Sequence, residues 1–272
     1  MGLISSLCDK KKMPLVMGIL NVTPDSFYAA SRKESVSSAI EAALAMEQDG
    51  ADIIDIGAES TRPGFTPVSA EEEIKRIVPA IEEIRKHTRL PISVDTRKGS
   101  VAQAALDAGA DIVNDISAGT YDFSIFQIVK NYKCDIILMH SQEKALYSDV
   151  VKEVKDYLLD RARAFENAGV PADKITLDPG LGFGKDTEHN LLLMHQMKQL
   201  AALGYPVLIG CSRKRFIGAV TGADVDGRLA GTLAVNAVAA FHGAAVLRVH
   251  DVRETSDLVK MLHALGDISD WR

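Results

Sequence analysis

One repeating pattern constrains this chain more than any other feature. Eight short apolar runs recur along its 272 residues, each followed by polar or glycine-containing residues and then by a stretch of helical periodicity. The runs are LVMGIL (15–20), DIIDIG (52–57), PISVD (91–95), DIVND (111–115), CDIILMH (134–140), KITLD (174–178), PVLIG (206–210) and AAVLRVH (244–250). Near-continuous apolar runs suit strands covered on both faces, the condition of a parallel sheet. Eight β-then-α units predict a single (β/α)8 TIM barrel over residues 13–272, with its active site at the C-terminal ends of the strands. The alternative, an open Rossmann-like sheet, is disfavoured because no G-x-G-x-x-G follows the first strand.

The intervening stretches are legible as helices. SVSSAIEAALAMEQDGA and KGSVAQAALDAGA both run into Gly-Ala-Asp ahead of the next strand, and the glycine suits a helix C-terminus. SAEEEIKRIVPAIEEIRKHT opens on Ser69 with Glu72 three residues on, the spacing of a capping box. VKEVKDYLLDRARAFENAG and RLAGTLAVNAVAAFHGA are further helices. The segment between Asp115 and Cys134 is shorter, and its helix is the least defined.

Composition narrows the class of protein. With 47% hydrophobic and 25% charged residues, the chain suits one globular domain with a core large enough to need no disulfide or structural metal. A formal net charge of -6 argues against a nucleic-acid partner. The three cysteines, Cys8, Cys134 and Cys211, form no CxxC and suit a reduced cytoplasmic compartment. No apolar run approaches the roughly 20 residues needed to cross a bilayer, so no membrane is expected. Residues 1–12, MGLISSLCDKKK, are too polar and short for a signal peptide. Gly2 and Ser6 fit a loose myristoylation pattern that is short enough to occur by chance. The expectation is a poorly ordered leader.

A barrel gathers its chemistry where its strands end. Those ends carry Asn21, Asp55, Asp95, Asn114 with Asp115, His140, Asp178, Ser212-Arg213-Lys214, and Arg248 with His250 and Asp251. Any one of them could be a cap or a solvated charge. Solvated charges would scatter to both ends of the strands, whereas these gather at one. Asn21, Arg248 and His250 lie on the neighbouring first and eighth strands, a cluster suited to a phosphate or diphosphate. Asp95, Asn114 and Asp178 form an opposite side that can accept paired N–H groups from an amino-heterocycle, and Lys214 could reach a ring atom between the two.

Seven blocks carry a specific resemblance. MGILNVTPDSF (17–27), IGAESTRPG (56–64), SVDT (93–96), NDIS (114–117), LDPGLGFGK (177–185), CSRKRFIG (211–218) and RVHDV (248–252) resemble the dihydropteroate synthase signature, in the family's order and over nearly the whole chain. The resemblance implies a transferase of folate biosynthesis. It would join 6-hydroxymethyl-7,8-dihydropterin diphosphate to p-aminobenzoate with a new C–N bond and release of diphosphate, and it would be a sulfonamide target.

Residue by residue, the resemblance implies that Asp95, Asn114, Asp178, Lys214 and Arg248 bind the pterin, with Asp95, Lys214 and Arg248 catalytic. Asn21, Asp55, Arg248 and His250 match diphosphate-site residues, and Asn21 also matches a ligand of the family's cofactor, Mg²⁺. Thr61, Arg62, Pro63, Phe183 and Ser212 match the p-aminobenzoate pocket. Phe183 alone reads equally as packing, and Ser212 as a cap of the helix after strand seven. His87, His189, His195, His242 and His263 fall in helices or at their ends and read as structural or solvated. The family also implies a homodimer, formed through the last helices.

Two segments depart from the family. MGILNVTPDSF usually leads into an Asp-Gly-Gly turn, where this chain has YAASRKES (28–35). The loop after His140, MHSQEKALYSDV, is shorter than usual. Two other readings stay open: a catalytically silent pterin-binding paralogue, and a methyltetrahydrofolate-dependent methyltransferase barrel. The second needs neither the diphosphate cluster nor the TRPG and SRK loops.

Overall fold

The computed structural model describes residues 1–22, 32–58 and 68–266. In chain order the elements are α1 (Leu3–Lys11), β1 (Leu15–Asn21), α2 (Arg32–Gln48), β2 (Ile53–Gly57), α3 (Ala70–His87), β3 (Ile92–Asp95), α4 (Gly99–Asp107) and β4 (Ile112–Asp115). They continue with α5 (Ser124–Tyr132), β5 (Asp135–Met139), α6 (Val150–Asn167), β6 (Ile175–Asp178), α7 (Thr187–His195), α8 (Met197–Ala201) and β7 (Leu208–Ile209). The last are α9 (Arg215–Thr221), α10 (Leu229–Phe241), β8 (Val246–Val249) and α11 (Val252–Ala264). The strands pair in parallel in the order β6-β5-β4-β3-β2-β1-β8-β7, and a bridge from Leu177 to Val207 brings the two ends together. The predicted (β/α)8 barrel is therefore the observed one.

The register explains why the strands read as continuous apolar runs. Alternate residues of each strand face opposite sides. One set fills the barrel interior, where Leu15, Met17, Ile53, Ile112, Ile137, Leu208 and Val246 pack together. The other set, including Val16, Ile54, Val94, Val113, Ile136 and Leu247, packs against the helices. Two residues further along each inward column the chemistry changes. Ile53 is followed by Asp55, Ile112 by Asn114, Thr176 by Asp178 and Val246 by Arg248. The barrel is apolar at its floor and polar at its mouth.

Local chemistry positions the helices. Ser69 caps α3, its hydroxyl accepting from the Glu72 amide at 3.2 Å, as its spacing predicts. Glu71–Glu73 in the first turn and Arg85–His87 in the last complement the helix dipole. Ile77, Ile81 and Ile84 form the buried stripe of that helix. Gly50 and Gly109 follow α2 and α4 at φ +95° and +110°, a conformation that costs glycine no Cβ clash. The segment after Asp115 does contain a helix, α5, and α2 begins at Arg32, inside the stretch read as an altered loop.

The leader expectation is corrected. Residues 3–11 form α1, which closes the barrel floor. Ile4 is 1% exposed and joins the interior cluster with Leu15 and Met17. Its amide donates to Asp135 Oδ2 at 2.9 Å, and the Gly2 amide donates to Asp173 Oδ2 at 2.9 Å. Burial of Ile4 and these two anchors offset the entropy of ordering the segment.

Candidate active site

The mouth of the barrel is organised by one arginine. Arg248, on β8, donates through Nε to Asp55 Oδ2 at 2.6 Å and through Nη2 to Asp95 Oδ2 at 2.8 Å. Asp55 Oδ2 also accepts from Asn114 Nδ2 at 3.2 Å. The strand register places these groups side by side: Asp95 pairs with Gly57 on one side and with Asn114 on the other.

Two carboxylates thus share one guanidinium in a buried setting. Burial outweighs the attraction of Arg248 and raises the Asp95 pKa to about 7, with Asp55 and Glu73 pushing the same way. Arg248 is held firmly charged, because its carboxylate neighbours more than offset its own burial.

Across the mouth stands a second group. Asp178 ends β6 and accepts from the Gly180 amide at 2.7 Å, and burial raises its pKa against the pull of Lys214. Lys214 precedes α9 and donates to the Leu181 carbonyl, with its ammonium 4.6 Å from the centre of the Phe183 ring. Burial lowers the Lys214 pKa to about 8, opposed by Asp178. An acceptor pair and a donor that titrates near neutrality suit a flat heterocycle carrying both N–H groups and ring acceptors.

The rim joins β7 to β8. Ser212 Oγ lies 3.0 Å from His250 Nδ1 and accepts from the His250 amide at 3.1 Å. It does not cap α9, whose N-cap is Lys214 with no side-chain bond. Arg213 sits at φ +55° and grips Asp251 with both arms, at 2.6 and 3.0 Å. Asn21 and His250 are exposed at the mouth, on neighbouring strands.

Asp95, Asn114, Asp178, Lys214, Arg248, Ser212, Phe183, Asn21 and His250 are thus all brought to one end of the barrel. Asp55, expected beside the diphosphate, is 0% exposed and accepts from Arg248 Nε, so that it aims the guanidinium. Thr61, Arg62 and Pro63 lie outside the described residues, as does Tyr28 of the altered loop. Cys211 offers no nucleophile, since burial pushes its thiol up to about 12.

Sequence reasoning missed Lys185. It is 8% exposed, with its ammonium 2.9 Å from His140 Nδ1 and 3.0 Å from both the Gly180 and Phe183 carbonyls. Its place after three glycines in one turn, Gly180, Gly182 and Gly184, was the available signal, since such a turn leaves carbonyls in need of a donor. A cavity of about 540 Å³ lined by Tyr147, Lys152, Lys155 and His189 lies between α6 and α7 and includes none of these strand-end groups.

The family model described as pterin binding enzyme matches residues 17–250. Dihydropteroate synthase of Streptococcus pyogenes is 45% identical over 252 residues, covering 92% of this chain and 95% of that protein. The Xanthomonas albilineans dihydropteroate synthase solved with 4-aminobenzoic acid superposes with a TM-score of 0.89 at 44% identity, covering 93% of each chain. The Yersinia pestis dihydropteroate synthase solved as a sulfonamide drug complex superposes with a TM-score of 0.87 at 35% identity, covering 93% of this chain and 94% of that one. The chain belongs to the dihydropteroate synthase family of pterin-binding enzymes.

Proposed function

We propose that this chain condenses 6-hydroxymethyl-7,8-dihydropterin diphosphate with p-aminobenzoate, and that the pterin lies between the two buried groups at the barrel mouth. One observation carries the assignment: Arg248 is held by Asp55 and Asp95 at the centre of a polar ring that faces Asp178 and Lys214. Asp95, Asn114 and Asp178 would accept the pterin N–H groups. Lys214 would donate to a ring acceptor, and Arg248 would lie against the ring face.

Breaking the methylene C–O bond leaves positive charge on the pterin and negative charge on the diphosphate. Asp95 would stabilise the first, and Asn21, His250 and Arg248 the second. The arylamine nitrogen forms the new C–N bond and loses one proton. A neutral amine needs no strong base, and none is assigned. Phe183, Ser212, Thr61, Arg62 and Pro63 would form the arylamine pocket nearer the mouth.

The donor set fits Mg²⁺ as an ion carried largely by the substrate. Among the described residues no group of three His, Cys, Asp or Glu side chains could hold a metal. Asn21 at the mouth offers one hard oxygen, and Mg²⁺ is commonly bound through one or two protein ligands plus phosphates. When bound there it would neutralise charge on the departing diphosphate.

Exposed apolar residues on α10 and α11, among them Phe241 and Met261, support a homodimer through the last helices. No described helix is long and apolar enough to cross a membrane, and three free cysteines support a cytoplasmic setting.

Calorimetry tests the layout of the subsites. With the pterin between the buried groups of the mouth and the arylamine outside it, p-aminobenzoate or a sulfonamide should give clear heat only after the protein is loaded with Mg²⁺ and diphosphate or a pterin. Tight arylamine binding to the bare protein would contradict ordered binding. No binding in either state at millimolar ligand would favour the silent paralogue.

A further inference from the structure

The turn from Asp178 to Lys185 presents two groups to Lys214: the Leu181 carbonyl, which accepts from its ammonium, and the Phe183 ring beneath that ammonium. The same turn touches the Lys214 stem, since a Cβ on Gly182 would come within 3.2 Å of its Cδ. Lys185 closes the turn from the other side. Its ammonium lies within hydrogen-bond distance of four acceptors: the Gly180 carbonyl at 3.0 Å, the Phe183 carbonyl at 3.0 Å, His140 Nδ1 at 2.9 Å and the His140 carbonyl at 3.4 Å. His140 follows β5, so the turn is tied to a strand of the barrel. The fit leaves no slack, because a Cβ on Gly180 would sit 1.9 Å from the His140 carbonyl oxygen.

We infer that Lys185 is a positioning residue: its ammonium locks the 180–184 turn to the end of β5, and through Leu181 and Phe183 it holds the Lys214 ammonium at the pterin subsite. The inference rests on the reading of Lys214 as a pterin contact. A neutral His140 accepting at Nδ1 is required, and burial together with Lys185 keeps that imidazole pKa low, at about 4. Burying an ammonium is costly, and burial lowers the Lys185 pKa to about 7 against the pull of Asp178, while the surrounding acceptors bond its protons. Asn21 ends β1 and His250 follows β8, so the diphosphate side of the mouth is built on other elements than this turn.

A double-mutant cycle separates positioning from general stability. Full-length protein is titrated with 6-hydroxymethylpterin and, separately, with inorganic diphosphate. Lys185→Met should weaken pterin binding about tenfold, the scale of a lost charged hydrogen bond, and leave diphosphate binding within about twofold. In a Lys214→Met background the same change should cost the pterin nothing further, because the group it positions is gone. Equal losses in both backgrounds would overturn the inference while leaving the pterin subsite standing. Unchanged pterin binding in Lys214→Met itself would overturn the subsite reading and the inference with it. If Lys185→Met does not fold, His140→Leu removes the imidazole acceptor and carries the same cycle. A loss that persists in the Lys214→Met background would again overturn the inference.

Discussion

Nη2 of Arg248 donates to the carboxylate of Asp95 at 2.8 Å, across the mouth of the barrel from β8 to β3. This contact joins the residue assigned to the leaving group with the residue assigned to the electron-poor pterin. Charge separated during bond breaking would therefore fall on two groups already aligned.

Asp95→Asn should reduce kcat/KM by at least about a hundredfold while the barrel stays folded, since an amide neither carries charge nor accepts two N–H bonds equally well. Stability gives a second readout. An acid whose folded pKa of about 7 exceeds its unfolded value of roughly 3.9 binds its proton more tightly in the native state. That contribution is fully present below about pH 4 and is lost as pH rises through about 7. Denaturant unfolding at pH 5 and pH 8 should show a smaller pH dependence in Asp95→Asn than in the parent. Identical pH dependence would place the shift elsewhere.

Arg248→Lys keeps the charge but loses the planar fork that serves two carboxylates at once. The loss should be about 1.5–3 kcal/mol, or roughly ten- to a hundredfold in kcat/KM. Arg248→Met should also destabilise the fold by roughly 3–5 kcal/mol, because the buried Asp55 loses its cationic partner. Urea melts and steady-state kinetics on both variants decide the matter, and parental values in both would remove Arg248 from the centre of the site.

Lys214 should give the reaction an alkaline limb. Burial lowers its pKa to about 8, so its ammonium is lost as pH rises through that value. A profile of kcat/KM for the pterin diphosphate reports groups on the free enzyme, and should fall above about pH 8. The limb should vanish in Lys214→Gln. Persistence of the limb at the same pH in that variant would assign it to another group.

The floor should behave differently from the mouth. Ile4→Ala opens a hole among Leu15 and Met17 and should cost about 2–5 kcal/mol with kcat unchanged. A large loss of kcat at unchanged stability would show that α1 reaches the chemistry.

The strands and their ends were legible because inward and outward positions are both apolar along most of each run, and the polar residues stand where the runs stop. Depth was not. Asp55 reads as a strand-end carboxylate, and only its pairing with Ser93, two residues before Asp95, shows that it lies one inward position below it. The role of α1 was hidden for a related reason. Its polar, lysine-rich sequence resembles a free tail, and its anchors, Asp135 and Asp173, lie far along the chain. Lys185 stands at the end of a glycine-rich block with no partner in sequence, and only the fold brings His140 against it.

Diphosphate release from 6-hydroxymethyl-7,8-dihydropterin diphosphate, followed with and without p-aminobenzoate in the presence of Mg²⁺, tests the central claim most directly. The account predicts release that depends on p-aminobenzoate, yields one dihydropteroate per diphosphate and is competed by a sulfonamide. Absence of release, with the pterin still bound at the barrel mouth, would contradict it.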